Sequence, residues 1–355
     1  MSSQSGALNV PRFLRVRPDW LALHSEPAIE PDLPIVDCHH HLWDRPGWRY
    51  LLDELLEDMT AGHRVVATVF IQCWAMHRGN GPKAFSAVGE TEFANGVAAM
   101  SASLNYGPTR VCAGIVSYAD LRLGAVVEEV LNAHIVAGGG RFRGVRQIAA
   151  WDADEILVNP ESGASAGMLE DQRFREGFSR LAPLGLSFEA WLYHPQIKEL
   201  VPLARAFPET LIVLNHAGGP VGIGPYAGKR DEVFAAWSAS IIELATCPNV
   251  FLKFGGLGMR VNGLGFDRQA TPPSSERVAS VLSPFFDVCV SAFGSDRCMF
   301  ESNFPVDKGS YSYVVCWNAF KRMTGGASAE EKAKLFSRTA ARFYKLDISS
   351  DSRVP

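Results

Sequence analysis

The sequence predicts a single (β/α)8 TIM barrel preceded by an N-terminal arm. Eight short apolar or β-branched runs are each followed by a helical segment, the rhythm of a parallel sheet. No low-complexity stretch or long linker divides the 355 residues. No Gly-rich dinucleotide fingerprint or phosphate loop follows the first strand, which argues against an open doubly wound sheet, and eight such units favour closure.

Residues 1–33 hold several Pro and little periodicity, and read as an arm packed on the outside of the domain. The barrel is expected over residues 34–346, with a tail at 347–355. The first strand lies in 34–43, Pro-Ile-Val-Asp-Cys-His-His-His-Leu-Trp, where alternation puts Asp37, His39 and His41 on one face and Cys38, His40 and Leu42 on the other. A helix at 50–59 follows, then a strand at 64–74 and a helix at 90–103. The third strand is 109–118, and its helix, 123–137, stops at Gly138, Gly139 and Gly140. Strand four is 142–148. The Gly-, Ser- and Ala-rich stretch 153–171 reads as a loop and candidate lid before a helix at 172–181. Strands at 187–193, 210–216 and 250–254 alternate with helices at 196–206, 231–245 and 276–293. The last strand, 298–301, opens into Ser302-Asn303-Phe304-Pro305, and an amphipathic helix at 330–344 closes the barrel.

Composition bounds the partners. Hydrophobic residues make up 47% and charged residues 20%, an ordinary globular balance. A formal net charge of -4 without a basic run excludes the electrostatic footprint of a nucleic-acid binder. No stretch is apolar enough to span a bilayer, and Met1 to Val10 lacks a signal-peptide pattern. Seven Cys without CxxC spacing disfavour a disulfide framework, so the expected setting is a reducing cytoplasm. The expected partner is a small-molecule substrate, and a homo-oligomer stays open.

In such a barrel, chemistry sits where strands end. The strand ends carry His39 and His41, Arg146, Glu189 and His194, His216, and Glu301 or Asn303. Taken singly, each has a plain reading: Arg146 as a salt-bridge partner, Glu189 as a buried hydrogen-bonded acid, His216 as a core histidine. Their convergence is the signal. Imidazoles of His39, His41 and His194 would give a divalent ion, zinc by donor type, three ligands and leave one position open. His216 suits a general base or acid, and the planar fork of Arg146 suits a substrate carboxylate. Glu189, Trp191 and Tyr193 are expected around the substrate, with Trp43, Trp48, Tyr50 and Trp74 as further aromatic candidates.

Four motifs together resemble the amidohydrolase superfamily: Asp37-x-His39-x-His41, Trp191-Leu192-Tyr193-His194-Pro195, Leu214-Asn215-His216-Ala217-Gly218-Gly219-Pro220 and Ser302-Asn303-Phe304-Pro305. The likeness runs from Pro34 to Tyr344 and is closest to the amidohydrolase-related branch of sugar-acid lactonases, pyrone dicarboxylate lactonase and aminocarboxymuconate semialdehyde decarboxylase. It implies His39 and His41 as the first-strand pair, His194 as the fifth-strand metal ligand, His216 as the catalytic histidine, and Arg146 at a substrate carboxylate or lactone oxygen. The branch includes lactonases that keep the histidines and work without a metal.

The chain departs from the family at Asn303, where an Asp usually serves as ligand or base. An amide is no general base. Glu301, roughly 7 Å back along the strand, is the expected replacement, with Asp307 as its competitor. The activity expected is a hydrolase opening a lactone or similar cyclic ester of a carboxylate-bearing small molecule. The alternative is a metal-dependent non-oxidative decarboxylase of an unsaturated or aromatic acid.

Overall fold

The computed structural model describes residues 13–348. Eight parallel strands pair in chain order: β1 (Ile35–His40), β2 (Val65–Ile71), β3 (Arg110–Ser117), β4 (Phe142–Arg146), β5 (Ser187–Ala190), β6 (Ile212–Leu214), β7 (Val250–Phe254) and β8 (Cys298–Phe300). The seam between β8 and β1 is closed by residues just past β8. The Asn303 N–H donates to the His39 carbonyl at 2.9 Å, and the His41 N–H donates to the Phe304 carbonyl at 2.8 Å. The segment that completes the TIM barrel therefore also carries site residues.

Helices lie between successive strands, as the spacing predicts. Side-chain caps fix several of their starts: Asp171 accepts from the Phe174 N–H and Ser274 from the Arg277 N–H, each satisfying an otherwise orphaned donor. Two elements were not legible. Trp43–Arg45 and Trp48–Tyr50 form a small antiparallel hairpin, and a helix at Tyr313–Met323 precedes the C-terminal one. No helix among the described residues is long and apolar enough to cross a membrane.

Two apolar layers hold the barrel. The larger lies between strands and helices; the smaller fills the interior with Val36, Cys38, Ala67, Val69, Ile71, Val213 and Met299. The floor is plugged by the end of the C-terminal helix, whose Phe343 and Tyr344 pack into that interior layer. Above the plug, Lys253 Nζ lies 2.8 Å from Glu189 Oε2, and both side chains are wholly buried. Tyr344 and Asn215 donate to the same carboxylate.

The arm does not simply coat the outside. Phe13 and Leu14 reach the mouth and line its cavity, and the indole N–H of Trp20 donates to the Gln269 carbonyl at 3.0 Å. The rest of the predicted arm, residues 1–12, and most of the predicted tail, residues 349–355, lie outside the described residues.

Candidate active site

Strict alternation along β1 fails because the strand carries one extra residue. Asp37 pairs with Thr68 and His40 with Phe70, so three steps on β1 match two on β2. The bulge turns His39 inward next to Cys38 and leaves Asp37 on the outer side, a correction to the predicted common face of Asp37, His39 and His41. There Asp37 accepts from the Ser302 hydroxyl at 2.6 Å, the Ser302 N–H at 3.0 Å and the Tyr313 hydroxyl at 3.0 Å, fastening β1 to the end of β8. His40 also faces outward, 2.8 Å from Thr68 Oγ1.

Glu301 sits beneath two imidazoles. Its Oε1 accepts from His216 Nδ1 at 2.7 Å and from the His216 backbone N–H at 2.9 Å. Its Oε2 is 2.6 Å from His39 Nδ1, without the alignment of a hydrogen bond. On the far side of His39, Arg146 Nη1 donates to Nε2 at 3.1 Å. His41 donates from Nδ1 to the Ile71 carbonyl at 2.8 Å, which leaves its Nε2 as the basic nitrogen. In the same way, Glu301 leaves Nε2 of His216 unprotonated.

Burial dominates the protonation of these groups. It holds His39 and His41 well below the ordinary imidazole value, helped by Lys253 and Arg146 respectively. His216 is also lowered by burial, with Glu301 opposing. The imidazoles are therefore neutral near pH 7, and those of His41 and His216 keep a bare Nε2. Arg146 is pushed down to about 10 by burial, with Glu189 opposing, so it stays charged.

The backbone is bent to make this fit. His216 and Asn303 adopt left-handed φ values of 54° and 56°, uncommon for residues with a side chain and frequent at functional sites. Past β7, Gly256 (φ 65°) runs so close to His216 that a Cβ would lie 2.1 Å from its Nδ1. Only glycine leaves that room. Trp191 packs edge-on against His216 at 4.6 Å.

A cavity of about 240 Å³ opens above these residues. His41, Arg146, His216 and Asn303 face it, with Trp43, Trp74, Trp191 and Tyr193 among its walls. Arg146 has five N–H groups. Three are held by His39 Nε2, Gln72 Oε1 and the Gln72 carbonyl, leaving two for a ligand. Glu155 to Asn159 of the predicted lid lie over the cavity, tied down where the Tyr193 hydroxyl donates to the Leu157 carbonyl at 2.9 Å.

Two predicted residues are not brought to this centre. His194 accepts from the Val221 N–H through Nδ1 at 3.3 Å and packs against Tyr226. Among the described residues, the group of donors within 4.8 Å of one another is His39, His216 and Glu301, not His39, His41 and His194. The predicted spacing failed because β5 ends at Ala190, and His194 rides the next turn away from the axis. Glu189 is likewise not at the substrate cavity: its carboxylate is consumed by Lys253, Asn215 and Tyr344 below it. Glu301 supports the histidines from underneath, whereas Asn303 faces the cavity. Gln72 and Lys253 were missed, although each is a polar residue at the C-terminal end of an apolar run, the same signal that singled out Arg146.

Two imidazoles and a carboxylate are donors that zinc takes, and the site could hold such an ion. His39 Nδ1 and Glu301 Oε2 are buried without a hydrogen-bond partner, which also fits a ligand role. The protons now on these nitrogens and an ion are alternatives, because ligation releases protons.

Residues 36–346 match the amidohydrolase family model (Amidohydro_2). An uncharacterized protein of Sinorhizobium fredii, y4mH, is 33% identical over 340 residues, spanning 89% of this chain and 99% of its own. The L-fucono-1,5-lactonase of Burkholderia multivorans is 26% identical over 243 residues, 68% of this chain and 74% of its own. Among solved structures, a zinc-bound amidohydrolase of Burkholderia multivorans superposes with a TM-score of 0.67 at 24% identity, covering 88% of this chain and 99% of that one. With the barrel, the strand-end histidines and these matches in hand, the chain belongs to the amidohydrolase family.

Proposed function

We propose that this enzyme opens a lactone of a carboxylate-bearing small molecule by adding water to its carbonyl. The observation that carries this reading is the Glu301–His216 pair, set beside Arg146 in one cavity. His216 Nε2 takes a proton from water as its oxygen attacks the carbonyl carbon. Glu301, accepting from Nδ1, stabilises the imidazolium that results. The ring C–O bond then breaks, and His216 returns the proton to the leaving oxygen. The two unfilled N–H groups of Arg146 bind the substrate carboxylate or the carbonyl oxygen. Trp191 and Tyr193 form the walls. An ion held by His39, His216 and Glu301 would polarise the carbonyl or acidify water.

The relatives named as L-fucono-1,5-lactonases support a sugar-acid lactone as substrate. All seven cysteines are buried free thiols, which supports a reducing cytoplasm as the setting. The test is a panel of aldonolactones with native protein and His216→Asn. Ring opening by the native protein, lost in the variant, is expected. Equal turnover by both, or carbon dioxide release from an aromatic acid with no lactone opened, would overturn the reading.

A further inference from the structure

Asn303 lines the cavity, and its surroundings decide which end of its amide meets the substrate. Asp307 is wholly buried four residues on. Its Oδ2 accepts from the Tyr311 hydroxyl at 2.8 Å and from the Gly258 N–H at 2.9 Å, while its Oδ1 faces Asn303 Nδ2 at 2.9 Å. An ionised carboxylate only accepts, so above the value of about 7 to which burial raises the Asp307 carboxyl the amide points its nitrogen at it, as the 2.9 Å contact has it. The oxygen of that amide is then left for the cavity, which Asn303 lines together with His216 and Arg146.

We propose that Asp307 is a positioning residue that locks the Asn303 amide with Oδ1 toward the cavity, where it accepts a hydrogen bond from the water that His216 activates. The role of the water rests on the lactone reading; the orientation of the amide does not. The acceptor at position 303 is thus uncharged. A neutral acceptor can hold a water by one of its protons and leave the other for His216, without competing for it as a base.

The arrangement makes an exchange test available. In Asp307→Asn, the new amide keeps its oxygen on Tyr311 and Gly258 and presents its nitrogen to Asn303. Two donors then face each other, so the Asn303 amide turns over and sends its NH2 into the cavity. Shape is preserved and polarity is reversed. In the double variant Asn303→Asp with Asp307→Asn, every hydrogen bond is restored, and an acceptor oxygen again faces the cavity, now a carboxylate's in place of the amide's.

Kinetics with the lactone that the native protein turns over should show kcat of Asp307→Asn down about 10- to 100-fold, with KM little changed and the far-UV spectrum intact. The exchange variant should recover most of that loss. Native kcat in Asp307→Asn, or an exchange variant as slow as the single one, would overturn the proposal. Neutron diffraction from deuterium-exchanged native crystals decides the orientation whatever the substrate. It is done at about pH 9, above the value of about 7 to which burial raises the Asp307 carboxyl. Amide deuterons pointing at Asp307 support the proposal, and deuterons pointing into the cavity refute it. Failure of the native protein on every lactone would sink the hydrolase reading and leave the neutron result to stand on its own.

Discussion

Glu301 holds His216 at two points, accepting from its backbone N–H at 2.9 Å and from its ring Nδ1 at 2.7 Å. One carboxylate thereby fixes both the strained turn on which the histidine stands and the tautomer that it presents. The same carboxylate lies 2.6 Å from His39 Nδ1, so the first and sixth strands are coupled through the eighth.

Glu301→Gln should cost about 100-fold or more in kcat. The amide keeps one acceptor and introduces a donor that must face one of the two histidines. Circular dichroism should show the fold retained. The same substitution should weaken zinc uptake at least about tenfold by titration calorimetry, while His194→Asn leaves uptake unchanged. Loss of zinc on changing His194 alone would reinstate the ligand set expected from the sequence.

Arg146→Lys should raise KM about 10- to 100-fold for a carboxylate-bearing lactone, the equivalent of about 1.5 to 3 kcal/mol for a hydrogen bond to a charged group. A lysine cannot reach His39, Gln72 and a ligand at once. Steady-state kinetics on the acid and its methyl ester separate the effects, because the ester should lose little.

Lys253→Met should destabilise the protein by about 3 to 5 kcal/mol in urea unfolding, since it strands the Glu189 carboxylate in the barrel interior. Adding Glu189→Gln should return much of the loss. If the single variant unfolds at the native midpoint, this pair is not what supports the barrel floor.

The Asp307 carboxyl is raised from 3.8 to about 7, with burial as the leading cause. Between those values the folded protein keeps a proton that the unfolded chain has lost. Stability from this group is therefore present at low pH, falls as pH rises through that window and is level above it. About three pKa units correspond to at most about 4 kcal/mol. Asp307→Asn should remove the fall, so the urea midpoints of variant and native protein draw apart from about pH 4 to about pH 7. Curves that stay parallel throughout would count against a buried carboxyl of this kind.

Much of this was legible from patterns that depend on the chain alone. Apolar, β-branched runs such as Val65–Ile71 read as buried strands, and polar residues that end such runs are candidates for the mouth, where Arg146 and His216 lie. What escaped depends on where a strand stops or slips. His194 was placed by assuming that β5 continues to Tyr193, yet the chain turns after Ala190. Asp37 was placed by alternation, which a single extra residue in β1 defeats. Glu189 and Glu301 look alike in sequence, and only the layer at which each enters the barrel separates an ion pair with Lys253 from a support under two histidines.

That extra residue in β1 has an engineering consequence. It acts as a phase shifter, letting the lower half of the strand present its packing side chains and the upper half its reactive ones to the same axis. Deleting His40 would restore ordinary phase and turn His39 out among the helices. Position 40 should therefore accept substitution far more readily than deletion.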